Sequence, residues 1–543
     1  MFKIVGILLL IVTQFNFCFA HVGSPGIIME GNAGRYKVLV SIKPPDVIPG
    51  IAKVTVYFQN EPASIVTARA VYFRTGDEGS PGAEEMKVVS GQTGQYTSDV
   101  WMMSGGSSSI EITAKGKLGN GVMIVPIVAV SKDIKKMPFS TGLTLVILGI
   151  FLFVLMVTLI GSSVSDALTK AGEDISLSRM KLRRIGISVA ILLTSVIAFA
   201  GNAWWKSWIN NYNRFMFRPL EATSTIKMVN GASELIFSLD TTSKRSSSFS
   251  YVVPDHGKLM HLFMVRFPAM DAFAHLHPAR IDSADFRTIL PGLPKGQYLV
   301  FADMVYTTGF TETIKDTIDI PFDITNTANA LDKDDAYAFA PPVTRQSGNI
   351  QLAGREGVIS CGQPGIGAKL RDSSTMVWQG MTDDNYESGK LYQLQFSVLT
   401  PDNKMATLEP YLGMQAHAAI IRNDGNVYIH LHPVGTFSMA AETNMLKRIA
   451  DPQGLYKYPD PKIFRDSIDK YMKYISALDE PKREDLLMNQ MNMHTYSSAG
   501  MNMDHNNMVA FPYIFPSPGE YRIWVQVKRN GQILTGAFDK VVK

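Results

Sequence analysis

Two uncharged apolar runs, Phe139–Ile160 and Ile185–Trp205, decide most of what this chain can fold into. Each is long enough for a helix to cross a bilayer, which takes about 20 residues. They are close in sequence, so a chain that crosses on the first returns on the second, and the parts on either side share one face of the membrane. The loop between them carries Lys170, Arg179, Lys181, Arg183 and Arg184, the bias of a cytoplasmic loop, although Lys132, Lys135 and Lys136 flank the first run on its other side. Trp204, Trp205 and Trp208 form an aromatic belt at the end of the second run. The start of the chain settles the orientation. Residues 1–20 hold one lysine, an apolar core and the ending Cys18-Phe19-Ala20, the pattern of a secretory signal cleaved before His21. An uncleaved anchor with its lysine inside would leave the same topology. Both large soluble parts are thus expected on the extracytoplasmic, or periplasmic, side of the cytoplasmic (inner) membrane.

Composition excludes several classes. With 52 basic and 48 acidic residues, a net +4, nothing favours nucleic acid as a partner. Apolar residues at 46% are ample for folded cores. The two cysteines are Cys18, inside the signal, and Cys361, so the mature chain has no disulfide, zinc ribbon or CxxC site. There is no P-loop, dinucleotide fingerprint or nucleophile–base arrangement, and two spans without intramembrane charge build no transport path. The expectation is a binding protein and not an enzyme.

Residues 21–138 read as a β-sandwich. Tyr36–Ile42 and Ala52–Phe58 alternate and are β-branched, with Pro44-Pro45 and Pro49-Gly50 between them; Ala68–Phe73, Ser109–Ala114 and Gly121–Ser131 are further strands. After the spans (139–160 and 185–205, joined by the cytoplasmic loop 161–184) the chain repeats itself. Leu235-Ile-Phe-Ser-Leu matches Leu394-Gln-Phe-Ser-Val; His261-Leu-Phe-Met-Val-Arg266 matches His417-Ala-Ala-Ile-Ile-Arg422; His275-Leu-His277-Pro278 matches His430-Leu-His432-Pro433. A Pro-Gly-Tyr strand closes each copy, at Leu293–Tyr298 and Phe515–Tyr521. The predicted fold is mainly β: three extracytoplasmic Ig-like β-sandwich domains, the last two an internal duplication (215–328 and 349–543, linker 329–348), plus two transmembrane helices. The second copy carries a helical, methionine-rich insertion at 440–508, helical over Pro461–Leu487.

Seven of the ten histidines lie in or beside the two copies. Residues two apart in a strand point the same way, so His275 pairs with His277, and His430 with His432. A turn centred on Asp424-Gly425 sets His417 opposite His432, and a three-residue loop Pro268-Ala269-Met270 sets His261 opposite His277. Opposed Cβ atoms are about 4.5–5.5 Å apart, so each copy gathers three imidazoles on one face, a good donor set for copper or zinc. His256 and Asp303 lie near the first set; their counterparts are Leu412 and Gln526, which would make any role for them peculiar to the first copy. Whether the two sets bind independently, or only one is active, is open at this point.

Between Met488 and Met508 stand six of the 28 methionines, with His494 and His505. Met491, Met493 and His494 are echoed by Met501, Met503 and His505. Thioethers suit Cu(I) and give zinc little, and the interleaved asparagines and serines argue against a buried apolar face. His21, at the cleavage point, is a further candidate, its imidazole and new α-amino group able to chelate Cu(II) together.

The pattern His-x(12–13)-His-Leu-His-Pro, followed by a Pro-Gly-Tyr strand, resembles a widespread group of secreted β-sandwich proteins. The N-terminal part, with its His21 start and Tyr36–Ile42 strand, is similar to YtkA-like and FixH-like sandwiches, and distantly to CopC-type copper-resistance proteins. The resemblance implies extracytoplasmic copper handling or cytochrome oxidase maturation. The expected function is a membrane-integral copper-binding protein, with Cu(I) or Cu(II) ahead of zinc, for tolerance, storage or delivery to a cuproenzyme. The alternatives are a metal-free scaffold or assembly factor that docks a membrane complex such as cytochrome oxidase, and, behind it, a copper-dependent oxidase.

Overall fold

The computed structural model describes residues 21–22, 26–134, 137–170, 172–243, 245–325, 332–343, 359–379, 385–451, 454–492 and 507–543. The proposed signal, residues 1–20, lies outside them, as do 493–506. The chain is mainly β with two long apolar helices, and it divides into two compact units: residues 130–218, and the remainder.

The smaller unit is a helical hairpin, Phe139–Ser163 and Leu177–Phe215, with both helices long and apolar enough to cross a membrane. A Cβ added at Gly161 would stand 2.9 Å from Ile187, so glycine lets the two helices approach closely. The second helix runs well past the predicted span 185–205. Nothing in its sequence breaks it, since the next proline is Pro219, and Ser176 caps its start by accepting from the Arg179 amide. At 1.5 Å per residue it is about 58 Å long, roughly twice the hydrocarbon thickness of a bilayer.

In the larger unit, sheets stack in pairs around three apolar cores. The first pair is built from residues 27–129, with strands Tyr36–Lys43, Gly50–Phe58, Ile65–Tyr72, Gly106–Gly116 and Gly119–Ala129 where alternation predicts them. The second pair sets Ala222–Val229, Ala232–Leu239 and Asp285–Ile289 against a sheet containing His261–Phe267, Ala272–Leu276, Gly296–Tyr306 and Thr311–Ile320. The third sets Thr375–Gln379, Leu391–Leu399 and Met508–Ile514 against Ala416–Arg422, Val427–Leu431, Gly519–Arg529 and Gln532–Val542. The stretch read as a linker holds a strand of its own, Ala336–Phe339, which pairs with Ala272–Leu276.

The hairpin registers agree with the sequence reading. Leu262 faces Leu276 and Val265 faces Phe273, so one further step sets His261 against His277. Ala418 faces Leu431 and Ile421 faces Tyr428, which sets His417 against His432. These strands are apolar on both faces. Leu262 and Met264 enter the core of their own sandwich, while Phe263 and Val265 join Phe273, Phe301, Ala419, Ile421, Tyr428 and Trp524 in a separate core between the two sandwiches. Phe301 stacks on Tyr428 at 4.2 Å, and Phe273 on Trp524 at 4.9 Å. Burial on both faces is why the strands read as continuous apolar runs.

The insertion contributes three helices, Met439–Ala450, Pro461–Ala477 and Glu480–Asn492. Asp460 caps the middle one by accepting from the Ile463 amide at 2.9 Å, with Pro461 in the first turn. The N-terminal sandwich docks just beyond the His432-Pro433 pair: Glu30 N–H donates to Val434 O at 2.8 Å and Thr436 N–H to Ile28 O at 2.9 Å. Gly435 takes φ +131° there, and a Cβ would stand 1.9 Å from Ile28 O, so only glycine fits. Trp524 is fully buried between the two histidine-bearing sheets. Its replacement by alanine is expected to cost about 3–5 kcal/mol, read as a lower denaturant midpoint; an unchanged midpoint would show that the sandwiches are held together elsewhere.

Candidate metal centre

Because the two sheets meet face to face, the two histidine sets are not separate surface sites. They converge with His256 into one cluster of seven rings, none more than 8% exposed. Across the interface His261 lies 5.2 Å from His430, His275 lies 5.7 Å from His430, and His275 lies 6.3 Å from His417, centroid to centroid. Within each set the spacings match: 5.4, 5.2 and 4.5 Å among His261, His275 and His277, and 5.4, 5.3 and 4.5 Å among His417, His430 and His432. In each triad one ring nitrogen per histidine lies within 4.8 Å of the others.

The outer nitrogens fix the tautomers. His261 Nε2 faces the Asp255 carbonyl at 3.2 Å, and His417 Nε2 faces the Tyr411 carbonyl at 3.2 Å. A carbonyl only accepts, so these Nε2 atoms carry the hydrogen and each Nδ1 keeps a lone pair. His275 Nδ1 meets Gln526 Oε1 at 2.8 Å, and His277 Nδ1 meets the Asp335 carboxylate at 3.0 Å. His432 Nδ1 meets Phe437 O at 3.2 Å, and His430 Nδ1 has the Asp303 carboxylate at 3.6 Å. His275, His277 and His432 carry the hydrogen on Nδ1 and turn a bare Nε2 inward; the 3.6 Å contact with Asp303 is too long for a hydrogen bond and does not set the His430 tautomer. His261 Nδ1 and His275 Nε2 then face each other at 3.2 Å as two lone pairs, and His417 Nδ1 lies at the same distance from His430 Nε2. His277 Nε2 and His432 Nε2 are buried with no hydrogen-bond partner. Each triad thus turns at least one unpaired lone pair inward, which a Lewis acid would take up. Two nitrogens about 2.0–2.1 Å from one ion at a tetrahedral angle lie roughly 3.3–3.4 Å apart, close to the observed spacing. An outer nitrogen held by a carbonyl, amide or carboxylate is the usual support of a metal-bound histidine.

The supports cross the interface. Gln526 lies opposite His417 in its own sheet yet holds His275, while Asp303 lies opposite His261 yet faces His430. The reading that made Asp303 peculiar to the first copy is therefore corrected, because it and Gln526 serve the set across from them. The signal was in the sequence, as Asp303 interrupts the apolar run 298–306 and Gln526 the run 523–527. Asp335, in the stretch read as linker, gave no such signal. Burial raises the Asp303 carboxyl to about 6, partly offset by donation from Thr313 and Tyr428. The third acidic grouping, His277 with Asp332 and Asp335, is better explained as an ion pair, since Lys258 Nζ holds both Asp332 oxygens at 2.6 Å.

Above the cluster lie two matched turns, Asp255–Lys258 and Tyr411–Met414, each closed by reciprocal backbone bonds. The helix Glu480–Asn492 docks on them: Glu484 accepts from the Gly413 amide at 2.7 Å, and Arg483 pairs with Asp334 at 2.9 Å, itself 2.7 Å from Lys258. Met491 lies in the last turn of this helix. Met493, His494, Met501, Met503 and His505 lie outside the described residues. The backbone of His21 forms a short parallel strand with Val427–Leu431, level with Val427 and three positions from His430.

Residues 373–458, in the third sandwich, match a family described as a domain of unknown function, DUF8832. No curated protein matches the chain in sequence. Among solved structures, similarity extends to a tetra-tandem repeat from the extending region of a large adhesion protein (9% identity over 92% of this chain and 72% of that one, TM-score 0.15). It extends also to native E. coli alpha-2-macroglobulin (8% identity, 95% and 23%, TM-score 0.19). TM-scores this low assign neither fold nor function.

Burial holds His256, His261, His275, His417, His430 and His432 below the ordinary histidine range, reinforced in most of them by neighbouring rings, so these six are neutral at pH 7. In the unfolded chain they take up protons near pH 6.5. The stability that neutrality protects is thus complete above pH 6.5 and falls as pH drops below it, by up to about 1.4 kcal/mol per pH unit for each ring. Denaturant unfolding of the metal-free protein at pH 7.5 and pH 5.5 should show that fall; equal midpoints would mean the rings are protonated in the fold.

Proposed function

We propose that this chain is a membrane-anchored, extracytoplasmic copper-binding protein that holds copper for tolerance, storage or delivery to a cuproenzyme. The observation that carries the reading is the close approach of two imidazole nitrogens in each triad, beside a third ring whose Nε2 has no hydrogen-bond partner. Imidazole sets suit copper and zinc alike; copper is favoured by the neighbouring sequence. The thioether-rich sequence that follows the docked helix adds soft donors suited to Cu(I). Near-complete burial of the rings suits retention of an ion more than turnover of a substrate. The matched turns, registers and triads support reading the last two sandwiches as an Ig-like internal duplication whose interface became the site. The apolar hairpin, with its basic loop, supports anchoring in the cytoplasmic membrane with all three sandwiches outside.

The test is competition for copper by the purified full-length protein in detergent, since the N-terminal sandwich packs on the Val434–Thr436 segment. Cu(I) and Cu(II) would be titrated against a chelator, beside His430→Ala/His432→Ala and Met491→Ala/Met493→Ala. Tight uptake is expected, weakened at least 10-fold in the histidine variant, with slower loading in the methionine variant. Failure to compete with a weak chelator would sink the copper reading in favour of a docking scaffold.

A further inference from the structure

We infer that His256 is a fourth donor to the ion held by His417, His430 and His432, so that the two halves of the centre hold metal unequally. This rests on the copper-binding reading above and goes beyond it. His256 belongs to the second sandwich of the chain yet leans across the interface. Its ring lies 4.5 Å from His432 and 5.5 Å from His417, and 6.2 Å from His261; its nitrogens lie outside the 4.8 Å grouping of the His417, His430 and His432 donors, so donation requires the ring to turn towards them. It is 7% exposed, and its Nε2 is buried with no hydrogen-bond partner; the nearest acidic oxygen, Asp255 Oδ1, stands off at 3.7 Å while accepting from the Ala440 amide. The Leu412 carbonyl accepts from the ring, which leaves Nε2 as another neutral donor, placed beside one triad and not the other.

The backbone shows that this is an asymmetry of side chain alone. His256 takes φ +50° and Leu412, at the matching point of the other turn, takes φ +53°, each followed by a left-handed glycine. Leucine therefore fits this turn, and its partner turn supplies no ligand to the first triad. The half built on His261, His275 and His277 keeps three donors and an open coordination position, where an incoming thioether or other soft donor can bind. The half with His256 has a complete set of four. The three-donor half is the exchanging position and the four-donor half the retaining one.

Full-length protein, stripped of metal, would be titrated with Cu(I) against a graded series of chelators. Wild type is expected to take up two ions in two resolved steps. His256→Leu should weaken the tighter step by roughly 10–100-fold, at least what loss of an outer-shell support costs a metal site, and leave the other unchanged. His256→Asn, a residue at ease with a left-handed φ, should do the same, which guards against misfolding of the leucine variant. His277→Ala should weaken only the other step. Two ions bound with unchanged affinities in both His256 variants would overturn this inference and leave the copper reading intact. No uptake by wild type would overturn both.

Discussion

Pairs of imidazole nitrogens facing each other at 3.2 Å, one pair in each triad, are the constraint on which this structure turns. In the first triad the Asp255 carbonyl occupies the far side of His261 and the Gln526 amide oxygen the far side of His275, so neither ring changes tautomer without losing its outer partner and a cation relieves the inward repulsion. An unsatisfied buried polar atom costs about 1–3 kcal/mol, and His256, His277 and His432 each bury an Nε2 with no hydrogen-bond partner. The stacked contacts Phe301–Tyr428 and Phe273–Trp524 help offset that cost by holding the sheets together. A bound ion would convert the cost into a gain, and would make the fit of the two sandwiches depend on metal.

The arrangement also explains why neither sandwich makes the site alone. His275 is supported by Gln526 and His430 by Asp303, each from the opposite sheet. Lys258, Asp334, Arg483 and Glu484 form a buried ionic network above the rings and tie the inserted helix to the turns of both sandwiches. Changes far from the rings in sequence therefore reach them through one or two contacts.

Much of the site was legible in sequence because strands obey a period of two. The turn at Asp424-Gly425 and the loop Pro268-Ala269-Met270 were enough to set His417 against His432 and His261 against His277. What sequence could not show was that both faces point at each other. Phe263 and Val265, or Ala419 and Ile421, are as apolar as a free core face, and nothing in them says which sheet will cover them. For the same reason Asp303 and Gln526 looked local to their own strands, and the strand Ala336–Phe339 passed for linker. The second long apolar helix outran its apolar stretch because no proline interrupts it before Pro219.

The central claim is that imidazole nitrogens converge to hold an ion. X-ray absorption at the copper edge of the loaded full-length protein tests it most directly. The account predicts three to four nitrogen scatterers at about 2.0 Å with the outer-shell pattern of imidazole rings. A first shell of sulfur or oxygen alone, or copper lost on passage through a desalting column, would contradict it.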